Sequence, residues 1–487
     1  HSSHRRQRQM CIRDRRILVL KYLENDKYFR VILLMTELMQ IAIEKIDQTG
    51  SVVKRKLICF KEINQPKKIE DLGLRHSEQI NILQEIQDEI IELQSEYLHN
   101  TVNYCPRCGS KLIKRGYTKS DFNAVFTDHK VPCSRKVCGT CKWKSIPSIS
   151  SIFGTHIHPD LSKLQLEMSS NYPYRSAQKI LNSMVNKNRK TNNHYGLKKL
   201  TETVSKYIDT HPVDTNINII PADELVLQVD GGHLKTTEDK RSIEAMTSVV
   251  YNPVNIKHMG GNEKKDGAIS ELRGKITSKN CAASALSDNQ ESIKMQTLRA
   301  AKLQGMTTKT KITALCDGAS NCWSVVDSLT GGCDSIDRIL DWFHIAMKFK
   351  NTGLNNKDLN KRLESAKWNL WHGKVSECLE ILSLLCEDLK ADIKRLNKVT
   401  KLKLYIENNK CFVTQYSERK HNNLIFTSHL AEATVESLIN QRCKNKQHMR
   451  WSREGLHAIL VVRAAVNSDQ WLSYWNKYTT ETFKRAA

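Results

Sequence analysis

Two short apolar stretches of this chain end on a carboxylate that is followed by glycine. Glu224–Gly232, ELVLQVDGG, carries Asp230, and Lys311–Trp323, KITALCDGASNCW, carries Asp317. A charge at the end of a buried run is costly unless something pairs with it. In an open sheet the carboxyl ends of neighbouring strands lie side by side, so two such acids repel unless a cation lies between them. Mg2+ takes oxygen ligands and keeps part of its water, which suits phosphate chemistry. Taken singly, each Asp-Gly also reads as an ordinary turn. A two-metal site needs a further carboxylate, and Glu436 is the best choice. On a helix, Asn440, Cys443, Gln447 and Arg450 fall on its side and Lys444 and Lys446 flank it, so one acid would meet metal and phosphate together. Asp341-Trp-Phe-His344 follows another expected strand of the same sheet, Ile336–Leu340, and its histidine can reach back towards the same place. The alternative there is a helix-capping Asp with a packed His. Asp223, Asp239, Asp327, Asp334 and Asp337 lack a strand that ends on the carboxylate.

A second chemistry is written in cysteine. Cys105-Pro-Arg-Cys108 and Cys138-Gly-Thr-Cys141 are two Cys-x2-Cys knuckles separated by 29 residues. That spacing fits a tetrahedral thiolate Zn2+ site, with Gly109 and Gly139 expected to ease the turns and strand-like sequence between them suggesting a zinc ribbon. Redox cysteines are the rival reading, and Cys133 and His129 are spare ligands or bystanders. Lys111, Lys114, Arg115, Arg135, Lys136, Lys142 and Lys144 surround the knuckles and suit phosphate contact.

The elements that must position these groups follow from pattern. Leu225–Val229, Ala245–Tyr251, part of Lys275–Leu286, Ile312–Cys316 and Ile336–Leu340 read as strands. Asp288–Gln304, Asp358–Glu407, Glu432–Gln447 and Arg453–Val466 read as helices, as do Ile17–Ile46 and Glu78–Leu98. Ile80, Leu83, Ile86, Ile90 and Leu93 have near-heptad spacing that suits packing within the domain or against another subunit. Leu161–Ile208 reads as short helices broken near Pro173 and at Asn188–Asn193. In the last of these Leu197, Leu200 and Val204 face inward and Lys198, Lys199 and Lys206 outward, as in a helix-turn-helix DNA reader.

The totals agree with a nucleic-acid partner. The 487 residues suggest about three domains, and a net charge of +24 calls for a polyanion. There are 15 cysteines, an odd number, which reads as a reducing compartment. No apolar run of about 18 residues and no signal peptide pattern is seen, so no membrane partner is expected. Residues 1–15, HSSHRRQRQMCIRDR, read as translated adapter DNA or as a basic arm, and are set aside.

VDGGHLK (229–235), CDGASNCW (316–323), DWFH (341–344) and VESLINQRCKNKQHMRWSREGLHAILVVRAAV (435–466) resemble the DDE transposases of bacterial insertion sequences, most closely the Kra-type group. The resemblance covers about residues 104–475. One departure is Gln447-His448-Met449, where a glycine is expected. The resemblance implies an α/β, RNase H-like mixed sheet interrupted by a helical insertion, preceded by a zinc ribbon and a helical DNA-binding region. The segments are then residues 1–15, an N-terminal helical region 16–100, a ribbon 104–150, a helix-turn-helix-like region 160–210, the first part of the core 222–350, an insertion 351–424 and the C-terminal helices of the core 425–487. It also implies Asp230, Asp317 and Glu436 as ligands of catalytic Mg2+ or Mn2+, Asp341 and His344 as the family's Asp-x2-His, and structural Zn2+ on the cysteines. Partners would be double-stranded DNA with terminal inverted repeats, target DNA and further copies of the chain, in a bacterial cytoplasm at the nucleoid. The activity would be phosphodiester cleavage and strand transfer. A catalytically inactive, transposase-derived DNA-binding protein and a structure-selective nuclease on the same core are the alternatives.

Overall fold

A computed structural model of the chain describes residues 37–46, 49–63, 66–98, 103–145, 148–185, 187–211, 219–238, 240–258, 274–428, 437–444 and 449–483. Glu436, Gln447, His448 and the segment 1–15 lie outside these residues. The chain divides into two compact units, 1–74 and 75–487. In the first, Met39, Ile41 and Ile43 alternate with Gln40, Ala42 and Glu44, the period of a strand. Accordingly β1 (Glu37–Ile46) pairs antiparallel with β2 (Val52–Ile63). This corrects the helical reading of 17–46 over its described part, so that 37–63 within the expected helical region 16–100 is a hairpin. The isoleucines favour a pleated strand, and a short apolar run does not by itself tell strand from helix.

In the second unit α1 (His76–Leu98) is the expected helix. An antiparallel hairpin of β3 (Leu112–Asn123) and β4 (Asp128–Cys138) follows, with β5 (Lys144–Ser145) beside β4. Next come α2 (Ile149–Phe153), α3 (Pro159–Asn171), α4 (Tyr174–Ser183) and α5 (His194–Thr210). The break between α3 and α4 falls at Pro173, and Asn193 caps α5 by accepting from the Gly196 amide at 2.8 Å.

The main sheet has five strands: β6 (Glu224–Leu234), β7 (Ile243–Tyr251), β10 (Asn280–Ser284), β11 (Lys311–Cys316) and β12 (Ser335–Leu340). Short β8 (Ile256–His258) and β9 (Gly274–Ile276) pair with one another elsewhere. The order is β10-β7-β6-β11-β12; β10, β7 and β6 are antiparallel, and β6, β11 and β12 are parallel. β6 does not stop at Asp230 as its sequence suggests. The β7 ladder keeps pairing beyond it, from Asp230 opposite Thr247 to Leu234 opposite Ile243, and so carries the strand on through Gly231 and Gly232.

One sheet face packs on α6 (Glu291–Leu303) and α7 (Ser320–Asp327), around Leu227, Val229, Ala314, Ile293 and Val326. The other meets α8 (Trp342–Thr352) and a helical block of α9 (Lys357–Trp371), α10 (Val375–Asp388), α11 (Ile393–Asn408) and α12 (Tyr416–His421). Tyr416 is fully buried there, and its hydroxyl donates to the Leu340 carbonyl at 2.7 Å, which fastens the block to the end of β12. Residues 437–441 form a π-helical turn rather than the regular helix expected over 432–447. Buried Arg463 explains it: its guanidinium takes the Leu438 carbonyl at 2.9 Å and that of Ser437. α13 (Arg453–Val466) and a further helix, α14 (Trp471–Thr482), close the unit. No helix among the described residues is long and apolar enough to cross a membrane.

Candidate active site and cysteine metal centre

The sheet register decides where the acids fall. Cys316 on β11 lies opposite Val229 on β6 and Leu340 on β12. One residue further on, Asp230, Asp317 and Asp341 occupy equivalent positions on three neighbouring strands, which are spaced about 4.8 Å apart. Three carboxylates far apart in the chain therefore share one edge of one sheet.

Each is held differently. The Asp317 side chain accepts from the Ala319 amide at 2.9 Å, and its carbonyl accepts from the Tyr405 hydroxyl at 2.8 Å. Gly318, at φ +94°, makes the turn. A Cβ there would lie 2.7 Å from Asn409 Oδ1, so only glycine fits beneath the end of α11. Asp341 is buried and caps α8, accepting from the amides of Phe343 at 3.0 Å and Ser428 at 2.9 Å. Its second oxygen meets His344 Nδ1 at 2.8 Å. Asp341 is thus a helix cap and a histidine partner at once.

The electrostatics tie the four groups into one cluster. Burial works against a charged His344, but its bond to Asp341 and the fields of Asp341, Asp230 and Asp317 outweigh it and push its pKa up to about 9. The site thus contains an imidazolium at neutral pH. Burial pushes the Asp230 carboxyl up and Asp317 adds to this, while His344, the Gly231 amide at 2.8 Å and Lys444 oppose it. Lys444 arrives from the segment that packs over β6: a Cβ at Gly232 would lie 3.1 Å from Lys444 Nζ and 3.4 Å from Ile439. Carboxylate oxygens are the ligand class that hard cations take, and here His344 and Lys444 already place positive charge beside them. Among the described residues, though, the only His, Cys, Asp or Glu group of three or more with donor atoms all within 4.8 Å is the cysteine set. Asp230 and Asp317 supply two carboxylates, and Glu436 lies outside the described residues. Asp327 and Asp337 are taken up by Arg338 and Arg419, at 2.6 and 2.7 Å.

The cysteine centre is complete. The four thiols of Cys105, Cys108, Cys138 and Cys141 lie within 4.8 Å of one another and could hold Zn2+. Sulfur separations of 3.5 Å for Cys105–Cys141 and 3.4 Å for Cys108–Cys138 approach the ~3.8 Å edge of a tetrahedron with ~2.3 Å zinc–sulfur bonds. Hydrogen bonds from Ser110 draw the Cys108 pKa down, towards the thiolate that a metal needs, whereas burial and the three neighbouring thiols push Cys141 up. Each knuckle ends on a left-handed residue: Gly109 at φ +70° and Lys142 at φ +59°. Gly109 matches its expected role; Lys142, not Gly139, supplies the second turn. Cys133 is buried in an apolar cluster with Ile91 and Val131, and His129 is bonded to Asp88 at 2.6 Å and Thr127 at 2.7 Å, so neither joins the set. Around it Lys111, Lys114, Arg115, Arg135, Lys142 and Lys144 are exposed. On α5, Leu197 and Val204 are buried while Lys198, Lys199 and Lys206 face solvent.

Sequence reasoning does not foresee Tyr405 at this site, nor that Lys444 lies against Gly232. Tyr405 sits in the distant helical block, and nothing local signals that it will reach Asp317. The chain matches no protein-family model and no curated protein sequence.

Proposed function

We propose that this chain is a DNA transposase that cleaves phosphodiester bonds at the ends of an insertion sequence and transfers the strands. The observation that carries the reading is the alignment of Asp230, Asp317 and Asp341 on adjacent strands, with His344 joined to Asp341. A central strand with one antiparallel and one parallel neighbour supports an RNase H-like core. Asp230 and Asp317 would hold Mg2+ or Mn2+, and Glu436 would complete the set. The packing of Ile439 and Lys444 against Gly232, two residues from Asp230, supports that choice.

Bound cations would supply activation of the attacking hydroxyl and charge neutralisation at the leaving oxygen. The protein's own groups do the rest. Tyr405 and Asn409 hold the Asp317 turn, Asp341 fixes His344, and Lys444 offers a positive charge to a phosphate beside Asp230. The Zn2+ ribbon and the exposed lysines of α5 would grip double-stranded DNA carrying terminal inverted repeats, in an assembly of several copies with target DNA.

The test is metal-dependent cleavage of element-end DNA. Asp230→Ala, Asp317→Ala and Glu436→Ala should each lower it beyond the ~10–100-fold that loss of a metal ligand's outer-shell partner costs; full activity in all three would sink the assignment. The exposed lysines favour DNA binding even without catalysis. Binding with no cleavage under Mg2+ or Mn2+ would mark a transposase-derived DNA-binding protein, and cleavage without joining would mark a nuclease.

A further inference from the structure

Charge is unevenly shared among the helices on the α8 side of the sheet. α10 carries Glu377, Glu380, Glu387 and Asp388 and no lysine or arginine. α11, packed beside it, carries Lys394, Arg395, Lys398, Lys401 and Lys403 against the single acid Glu407. α8 also packs on α11, and it has Lys348 and Lys350 and no acid. An ordinary solvated surface intersperses the two signs; here they are separated helix by helix.

Within α11 the cations are sorted again. Lys394, Lys398, Lys401 and Tyr405, spaced i, i+4, i+7 and i+11, fall on one stripe about 60° wide. The stripe ends at the acids, where the Tyr405 hydroxyl donates to the Asp317 carbonyl at 2.8 Å. Its other contacts run to α8. Lys348 Nζ lies 4.2 Å from the centre of the Tyr405 ring, and Lys398 Nζ donates to the Asn351 carbonyl at 3.4 Å. His344, bonded to Asp341, is one turn before Lys348 on α8, so this cationic seam begins beside the acid edge. All four lysines are exposed, and none has a carboxylate partner among the described residues. Other cations of the block do have one. Arg362 pairs with Asp388, Lys390 with Glu387, Arg395 with Asp392 at 2.8 Å and Lys403 with Glu407 at 3.8 Å. Pairing neutralises those sides of the block and leaves the seam between α8 and α11 positive.

Resting on the nucleic-acid reading above, we propose that this seam, carried by Lys348, Lys394, Lys398 and Lys401, holds the phosphate backbone of duplex DNA on its way to Asp230 and Asp317. A lysine ammonium is a point charge that neutralises phosphate and reads no base edge. The seam therefore fixes where the DNA lies and leaves its sequence to other groups. The helix between Tyr405 and Lys394 is about 16 Å long, the rise of about five nucleotides of one strand. The helical block is then a DNA-holding element separate from the ribbon and α5, and it grips the duplex within a few nucleotides of the acids.

The test uses the full chain and a fluorescently labelled mixed-sequence duplex of about 30 base pairs, long enough to run past the seam's reach of about five nucleotides. Anisotropy is followed from about 50 to 200 mM salt without Mg2+ or Mn2+, and each phosphate contact adds about −0.9 to the slope of log affinity against log salt. Lys348→Gln, Lys394→Gln, Lys398→Gln and Lys401→Gln combined should flatten that slope by about 3–4. The same four positions changed to arginine keep their charge and should keep the wild-type slope. Lys361→Gln, Arg362→Gln, Lys390→Gln and Lys403→Gln combined remove equal charge from the paired sides and should change the slope by less than about 1. An unchanged slope in the seam variant, or an equal fall in both glutamine variants, overturns the proposal. A wild type that does not bind the duplex overturns it together with the DNA reading. A slope that depends on the seam, in a chain that never cuts DNA, upholds the seam and removes only the catalytic reading.

Discussion

The substitution Asp341→Asn tests the charge balance at the sheet edge. In the wild type one Asp341 oxygen accepts from the Phe343 and Ser428 amides, and the other meets His344 Nδ1 at 2.8 Å. The two backbone donors fix which way the substituted side-chain amide must turn: its oxygen takes their bonds and its NH2 faces the imidazole. The imidazolium then loses its principal counter-charge while staying largely buried. His344 has its pKa raised from the ordinary 6.5 to about 9, so its contribution to stability is complete below pH 6.5 and is lost as pH rises through 9. The distance between those two values is worth about 3 kcal/mol. In a unit of roughly 400 residues, that lowers Tm by about 3–4 °C. The assay is thermal unfolding of both proteins at pH 6.5 and pH 9.5, in buffer without added Mg2+ or Mn2+. The Asn variant should melt lower at pH 6.5, and the gap should close to about 1 °C at pH 9.5, where His344 is neutral in both. Other titrating groups shift both proteins alike and cancel in the comparison. A gap of the same size at both pH values would show that Asp341 acts only as a neutral cap and that no imidazolium is stored beside Asp230.

Three further outcomes follow from named contacts. Purified protein should carry one zinc per chain by elemental analysis; Cys138→Ser should lose it and Cys133→Ser should keep it, because Cys133 lies in the apolar cluster of α1 and β4. Arg463→Met should cost about 3–5 kcal/mol in denaturant unfolding, since it strands the buried carbonyls of Ser437, Leu438 and Ser170; amide exchange across 437–441 should rise with it. Gly318→Ala should cost upwards of about 1 kcal/mol from its left-handed backbone, with a clash against Asn409 in addition, and should lower cleavage more than DNA binding, because it displaces Asp317 and not the ribbon.

What the amino-acid pattern reveals and what it hides have separate physical causes. β11 is short and largely buried, so an apolar run bounded by polar residues is enough to find it, and the isoleucines of β12 betray that strand despite Asp337 and Arg338 within it. The knuckles are equally plain, because thiol spacing is a local geometric demand. β6 reads too short in sequence because its last residues, Asp230–Leu234, gain their strand character from pairing with β7, a non-local ladder that propensity does not register. The first strand of the 37–63 hairpin reads as helix because isoleucine-rich segments of this length satisfy either period. α14 escapes the pattern reading, although its Trp471, Trp475 and Tyr478 lie on one buried face at helical spacing.

The site divides along the same line. Asp230, Asp317, Asp341 and His344 announce themselves because a charge that ends an apolar strand is locally anomalous, and tertiary structure then brings those anomalies to one edge. The groups that hold them are locally ordinary. Tyr405 is one aromatic among many in a helical block, yet its hydroxyl fixes the Asp317 turn. Arg463 stands in an apolar helix as a lone cation, a placement that would cost several kcal/mol without partners. Its partners are carbonyls at the end of α3 and in the 437–441 turn, so one guanidinium ties the expected DNA-binding helices to the segment that leads back to Glu436. An anomalous charge in a sequence points towards chemistry or towards a buried anchor, and its place in the fold separates the two: Asp317 ends a strand beside two others that end on acids, whereas Arg463 spends its donors on backbone carbonyls.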